Sequence, residues 1–142
     1  MRELRLVNNP CARNPTFTAV LEFLERDRTD LMLYVDTNFV CADFTARIHN
    51  NAEQQGLRCG YARVCCHDGS THACNVWNTT DAGLIYTDST GLDYFEQDYN
   101  IDCNDSIAII RRDQDYRCYS IIDDRMFKFD KTVKIEKVIA FW

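Results

Sequence analysis

The chain has no apolar run approaching the roughly 20 residues that span a bilayer. Its first ten residues, Met1 to Pro10, contain no apolar stretch of the kind that marks a secretory signal. Positive charge is also scarce: 16 Lys and Arg stand against 22 Asp and Glu, a formal net charge of −6. The basic pair Arg111-Arg112 is followed at once by Asp113. A nucleic-acid phosphate backbone demands clustered Lys and Arg, so no nucleic-acid partner is expected. No internal repeat, low-complexity tract or interdomain linker interrupts the 142 residues. The expectation is one domain, 1–142, with a sizeable core of its own, located in the cytoplasm and without a membrane partner.

The eight cysteines contain no Cys-x-x-Cys pair. Without a secretory signal their thiols are expected to be reduced. Cys59, Cys65, Cys74 and Cys118 lie in strand-like runs, where a thiol serves as a small buried hydrophobe. Cys65-Cys66 beside His67 offers soft donors, but tetrahedral zinc sites usually include a Cys-x-x-Cys pair. Neither a metal nor an organic cofactor is expected.

What is present is more informative. Cys41, Phe44, Ile48 and Ala52 recur at helical spacing, and Gly56 suits the left-handed turn that closes a helix. Cys41 then falls in the first turn of a helix that Asn38 could cap. There the unpaired amide hydrogens and the positive end of the helix dipole favour a thiolate and can bind an oxyanion. After Gly56 the pattern becomes β-prone: Leu57 to Cys66, a turn at His67-Asp68-Gly69-Ser70, then Thr71 to Trp77. A second hairpin runs through Asn78 to Gly83 into Leu84 to Asp88. His72 and Asp88 lie symmetrically about its loop, near residue 80, and so should face one another. An Asp there would orient the imidazole and leave its other nitrogen for a thiol. The remaining histidines serve as controls. His49 is offset about 80° from Cys41 around the helix, and His67 sits in the far turn.

The order Cys at a helix start, His72-Ala73-Cys74-Asn75-Val76 on one strand and Asp88-Ser89-Thr90-Gly91 ending the next resembles the core of the transglutaminase-like superfamily, with its papain-like cysteine-protease arrangement. The match runs from Cys41 to Gly91, over a third of the chain. It is closest in kind to the small stand-alone prokaryotic and archaeal-type members. Many relatives have Trp where Cys74 stands, Gly shortly before the nucleophile where this chain has Asn38-Phe39-Val40, and Pro where it has Ser89. The resemblance implies a catalytic triad of Cys41, His72 and Asp88. It also implies substrate contacts from Tyr34, Asn38 and Cys74, with Asn38 a candidate oxyanion donor.

Elsewhere, Asn14 as N-cap and Pro15 as first helical residue mark a helix to Arg26, with Phe17, Val20, Leu21 and Leu24 as its apolar stripe. Leu31 to Val35 reads as an apolar anchor, Leu92 to Asp105 as an acidic, aromatic loop. Ser106 to Arg112, Tyr116 to Ile122 and Thr132 to Phe141 read as strands. The expected fold is α+β, with two amino-terminal helices on a five- or six-stranded, mostly antiparallel sheet. The expected activity is acyl transfer on an amide bond of a peptide or protein substrate through a thioester, with hydrolysis favoured over amine transfer. The alternative is a non-catalytic interaction domain of the same fold, binding through Asp93 to Tyr99.

Overall fold

The computed structural model describes residues 4–32, 40–90, 105–122, the backbone of 126–128, and 134–142. The element order is α1 (Phe17–Arg26), a short 3-10 turn (Thr29–Leu31), α2 (Cys41–Gln54), then β1 (Gly60–Cys66), β2 (Thr71–Thr79), β3 (Gly83–Asp88), β4 (Ser106–Ile109), β5 (Arg117–Ser120), β6 (Met126–Lys128) and β7 (Ile135–Phe141). The expected α+β class holds. The strands form one sheet in the order β6-β5-β4-β3-β2-β1-β7, with every described pairing antiparallel. Seven strands exceed the expected five or six, because the three-residue β6 is too short to carry an alternating pattern. Among the described residues no helix is long and apolar enough to cross a membrane.

Both helix starts differ in detail from expectation. Thr16, two residues beyond Asn14, caps α1 by accepting from the Ala19 amide at 3.1 Å, and Phe23 joins Val20 and Leu24 on its buried face. Val40 occupies the N-cap of α2. Valine has no side-chain acceptor, so the first turn is secured from the other direction: the Asp43 carboxylate accepts from the Val40 amide at 2.8 Å. Asn38, the expected cap, lies outside the described residues. The helix ends as expected, with Gly56 at φ +85°.

Strand β2 is buried on both faces from His72 to Trp77, because each face has its own cover. On one side Trp77 packs with Val20, Phe23 and Leu24 of α1, Ile48 and Ala52 of α2, and Cys59. On the other, Cys74 and Val76 pack with Ala62, Val64, Ala108, Tyr116, Cys118 and Ile135. Burying each of the larger of these side chains contributes about 1.5–3 kcal/mol. Asn75 locks the helix to the sheet: its buried amide donates to Thr45 O of α2 at 3.0 Å and to Gly60 O of β1 at 3.3 Å. The amino-terminal arm is tied along α2, where Val7 N donates to Asn50 Oδ1 and Asn50 Nδ2 to Arg5 O.

Candidate active site

Three elements converge on one site. Helix α2 begins at Cys41, and Thr45 Oγ1 donates to the Cys41 carbonyl at 2.8 Å, which steadies the first turn. Strand β2 carries His72 near its start, and β3 ends on Asp88. The register between β2 and β3 is Asn75↔Thr87 and Val76↔Tyr86. The hairpin is therefore centred on Asp81, one residue later than expected. Continuing this register sets Asp88 opposite position 74, so His72 meets it diagonally. That offset lies within reach of side chains on the same face, and His72 Nε2 and Asp88 Oδ2 are 2.6 Å apart.

Both groups are buried, at 3% and 2% relative exposure. Burial alone pushes an imidazole toward neutrality. Here the Asp88 charge and hydrogen bond, aided by the hydrogen bond and charge of Cys41, outweigh it and raise the His72 pKa to about 10. Burial likewise raises a carboxyl, yet the charge and hydrogen bond of His72, with hydrogen bonds from Thr90 and Tyr116, hold Asp88 below its ordinary value. The pair is thus an imidazolium and a carboxylate. Nε2 is the ring nitrogen committed to Asp88, and His72 lines the same groove as Cys41.

Two further residues complete the site. Tyr116 Oη donates to Asp88 Oδ2 at 2.5 Å, and its ring meets His72 edge-on with centroids 4.9 Å apart. Thr90 donates to Asp88 Oδ1 through its amide at 2.9 Å and its hydroxyl at 2.5 Å. Both Asp88 oxygens are therefore saturated with donors, which fixes the carboxylate plane and through it the imidazole. Burial and then the Asp88 charge push the Tyr116 phenol well above its ordinary pKa, so it remains a donor. Thr90 was within sight of the Asp-x-Thr-Gly pattern. Tyr116 was not, since it comes from the strand region 28 residues on and no local pattern announces the contact.

Cys41 is half-buried and, with His72, opens on a groove of about 410 Å3 whose walls include Leu4, Tyr61, Arg63 and Phe141. Cys74 is not among the groove's residues. It is 1% exposed in the core, and burial, then the Asp88 charge, raise its thiol well above the ordinary value. The expected substrate contact at Cys74 is therefore corrected to a core thiol, because its side chain is packed in the cluster that includes Ala62, Val76 and Cys118. Tyr34 and Asn38 lie outside the described residues, as does the Asp93 to Tyr99 segment. The control histidines stand apart from the groove: His49 is buried with Nδ1 2.9 Å from Asn50 Oδ1, and His67 Nε2 is 2.7 Å from Asp113 Oδ1. Among the described residues no group of three or more His, Cys, Asp or Glu is placed to hold a metal ion. No family model, curated protein or solved structure matches the chain.

Proposed function

We propose that the chain is a transglutaminase-like cysteine enzyme that transfers the acyl group of an amide, with hydrolysis as its reaction. The observation that carries this is the buried His72–Asp88 pair, 2.6 Å apart, with His72 lining the same groove as a thiol that stands at a helix start. The Cys41 thiolate attacks the amide carbonyl carbon, and the carbonyl electron pair moves to oxygen. The first amides of α2 stabilise that oxyanion. Protonated His72 delivers its proton to the amine nitrogen as the C–N bond breaks, leaving a thioester on sulfur. His72, now neutral, takes a proton from water as its oxygen bonds to the thioester carbon; the C–S bond then breaks, which releases the carboxylic acid and restores the Cys41 thiolate beside protonated His72. Asp88 holds the imidazole in place throughout.

Hydrolysis is favoured because Cys41 faces an open groove where water reaches the thioester. A nucleophilic thiol must be reduced, which suits the cytoplasm, and the chemistry requires neither metal nor organic cofactor. The test is p-nitrophenyl acetate. One equivalent of p-nitrophenolate should appear in a burst, with an acetyl group on Cys41 by mass spectrometry. A Cys41→Ser variant that gives the same burst, or acetylation at another residue, defeats the proposal. Faster turnover on adding glycine ethyl ester would reassign the reaction from hydrolysis to amine transfer.

A further inference from the structure

The groove beside Cys41 is lined by an exposed arginine, Arg63, in a chain that is acidic overall. Strand register places Arg63 of β1 opposite Ala73 of β2 and Ile139 of β7, and Cys65 opposite Thr71 and Lys137. Because side chains alternate along a strand, Tyr61, Arg63, Cys65, Thr71, Ala73, Lys137, Ile139 and Phe141 share one face. Those eight positions carry two positive charges, Arg63 and Lys137, and no carboxylate. Arg63 is exposed and makes no ion pair with any described residue. On a neighbouring element, Asp43 of α2 is close enough to act on Tyr61. Its carboxylate is already engaged by the Val40 amide.

Apolar surface flanks the charge. Tyr61 and Phe141 meet edge to face at 6.2 Å and, with Leu4 and Leu6, line the same groove as Cys41 and His72. Phe141 is 47% exposed, as is expected of a wall that awaits a ligand rather than a core residue. A guanidinium presents a planar fork of N–H donors that matches a carboxylate. The chain's net negative charge acts at longer range and is screened beyond about 10 Å at 0.1 M salt. Outside the Cys41–His72 pair, Arg63 is the charged side chain that lines the groove.

From this we infer that the enzyme selects amides flanked by an acidic residue, with the substrate carboxylate on Arg63 and an adjoining apolar side chain against Tyr61 and Phe141. This inference rests on the proposed acyl-transfer function. Peptide chloromethyl ketones test it, since the Cys41 thiolate displaces chloride and forms a stable thioether. Two probes are compared that differ only in Glu against Gln beside the reacting residue. The Glu probe should modify Cys41 about 3- to 5-fold faster, the advantage an exposed ion pair confers. Arg63→Gln should bring the ratio to about one, and Arg63→Lys should restore most of it. Because each variant is scored by its own ratio, a general loss of fold or reactivity cancels. Equal rates in the unaltered protein, or a ratio that survives Arg63→Gln, overturn the inference. Iodoacetamide separates the two levels. Cys41 labelled no faster than the other thiols overturns the proposed function and this inference with it, whereas fast labelling with equal probe rates overturns the inference alone.

Discussion

Tyr116→Phe isolates one hydrogen bond in the triad's support. The substitution removes the phenol that donates to Asp88 Oδ2 at 2.5 Å but keeps the ring that packs against His72 at 4.9 Å. Asp88 Oδ2 then retains His72 Nε2, and Oδ1 retains both Thr90 donors. A hydrogen bond to a charged acceptor contributes about 1.5–3 kcal/mol, so unfolding in urea should show a loss of that order. The loss favours protonation of Asp88, whose folded pKa lies below its ordinary value. A depressed carboxylate contributes stability above its unfolded pKa and loses it as pH falls through the folded one. In the variant this loss should therefore occur at higher pH. Cys41 alkylation, measured with iodoacetamide and mass spectrometry, should also slow as His72 loses its fixed partner. Stability within about 0.5 kcal/mol of the parent, together with an unchanged alkylation rate, would refute the claim that Tyr116 positions Asp88.

Three other outcomes follow from the same contacts. His72 has a folded pKa raised to about 10 from an ordinary 6.5, so its contribution is full below about pH 6.5, declines as pH rises and is gone above about 10. Urea unfolding of the parent relative to His72→Gln should show that decline at about 1 kcal/mol per pH unit, and a difference constant between pH 7 and 10 would contradict it. Asn75→Ala removes the donor to Thr45 O and Gly60 O inside a buried joint. It should cost about 2–3 kcal/mol and slow Cys41 alkylation by loosening α2; a stable variant with slow alkylation would instead make Asn75 a direct participant. A Cβ on Gly60 would stand 2.6 Å from Val76 Cγ1. Gly60→Ala should thus destabilise by about 1–3 kcal/mol in thermal or urea unfolding, and a neutral effect would show that β1 and β2 can move apart.

Local chemistry made much of this legible in advance. The apolar spacing from Cys41 to Ala52 and the terminating Gly56 located α2, and Asp68-Gly69 located the first hairpin turn, so the thiol, imidazole and carboxylate could be placed from neighbours in sequence. Helix starts were less legible, because capping depends on single hydrogen bonds. Thr16 displaced Asn14, and Asp43 did for Val40 what a capping side chain normally does. Contacts across the sheet were not legible at all. Tyr116 stands just before β5, with β4 between that strand and the β3 strand that ends on Asp88, and Cys74 became a core thiol because it packs in the cluster that includes Ala62, Val76 and Cys118. Arg63 gained significance in the same way, through Ala73 and Ile139 on either side.

The central claim is that Cys41 is an activated nucleophile, and its alkylation selectivity tests this most directly. Cys59, Cys74 and Cys118 are buried, and burial holds their thiols well above the ordinary pKa, so they should react slowly; Cys11 is exposed and provides the accessible reference. Near pH 7, limiting iodoacetamide followed by peptide mapping should find Cys41 modified at least about tenfold faster than Cys11, with the preference abolished in His72→Ala. Labelling of Cys41 at the Cys11 rate, or a preference that persists without His72, would contradict the account.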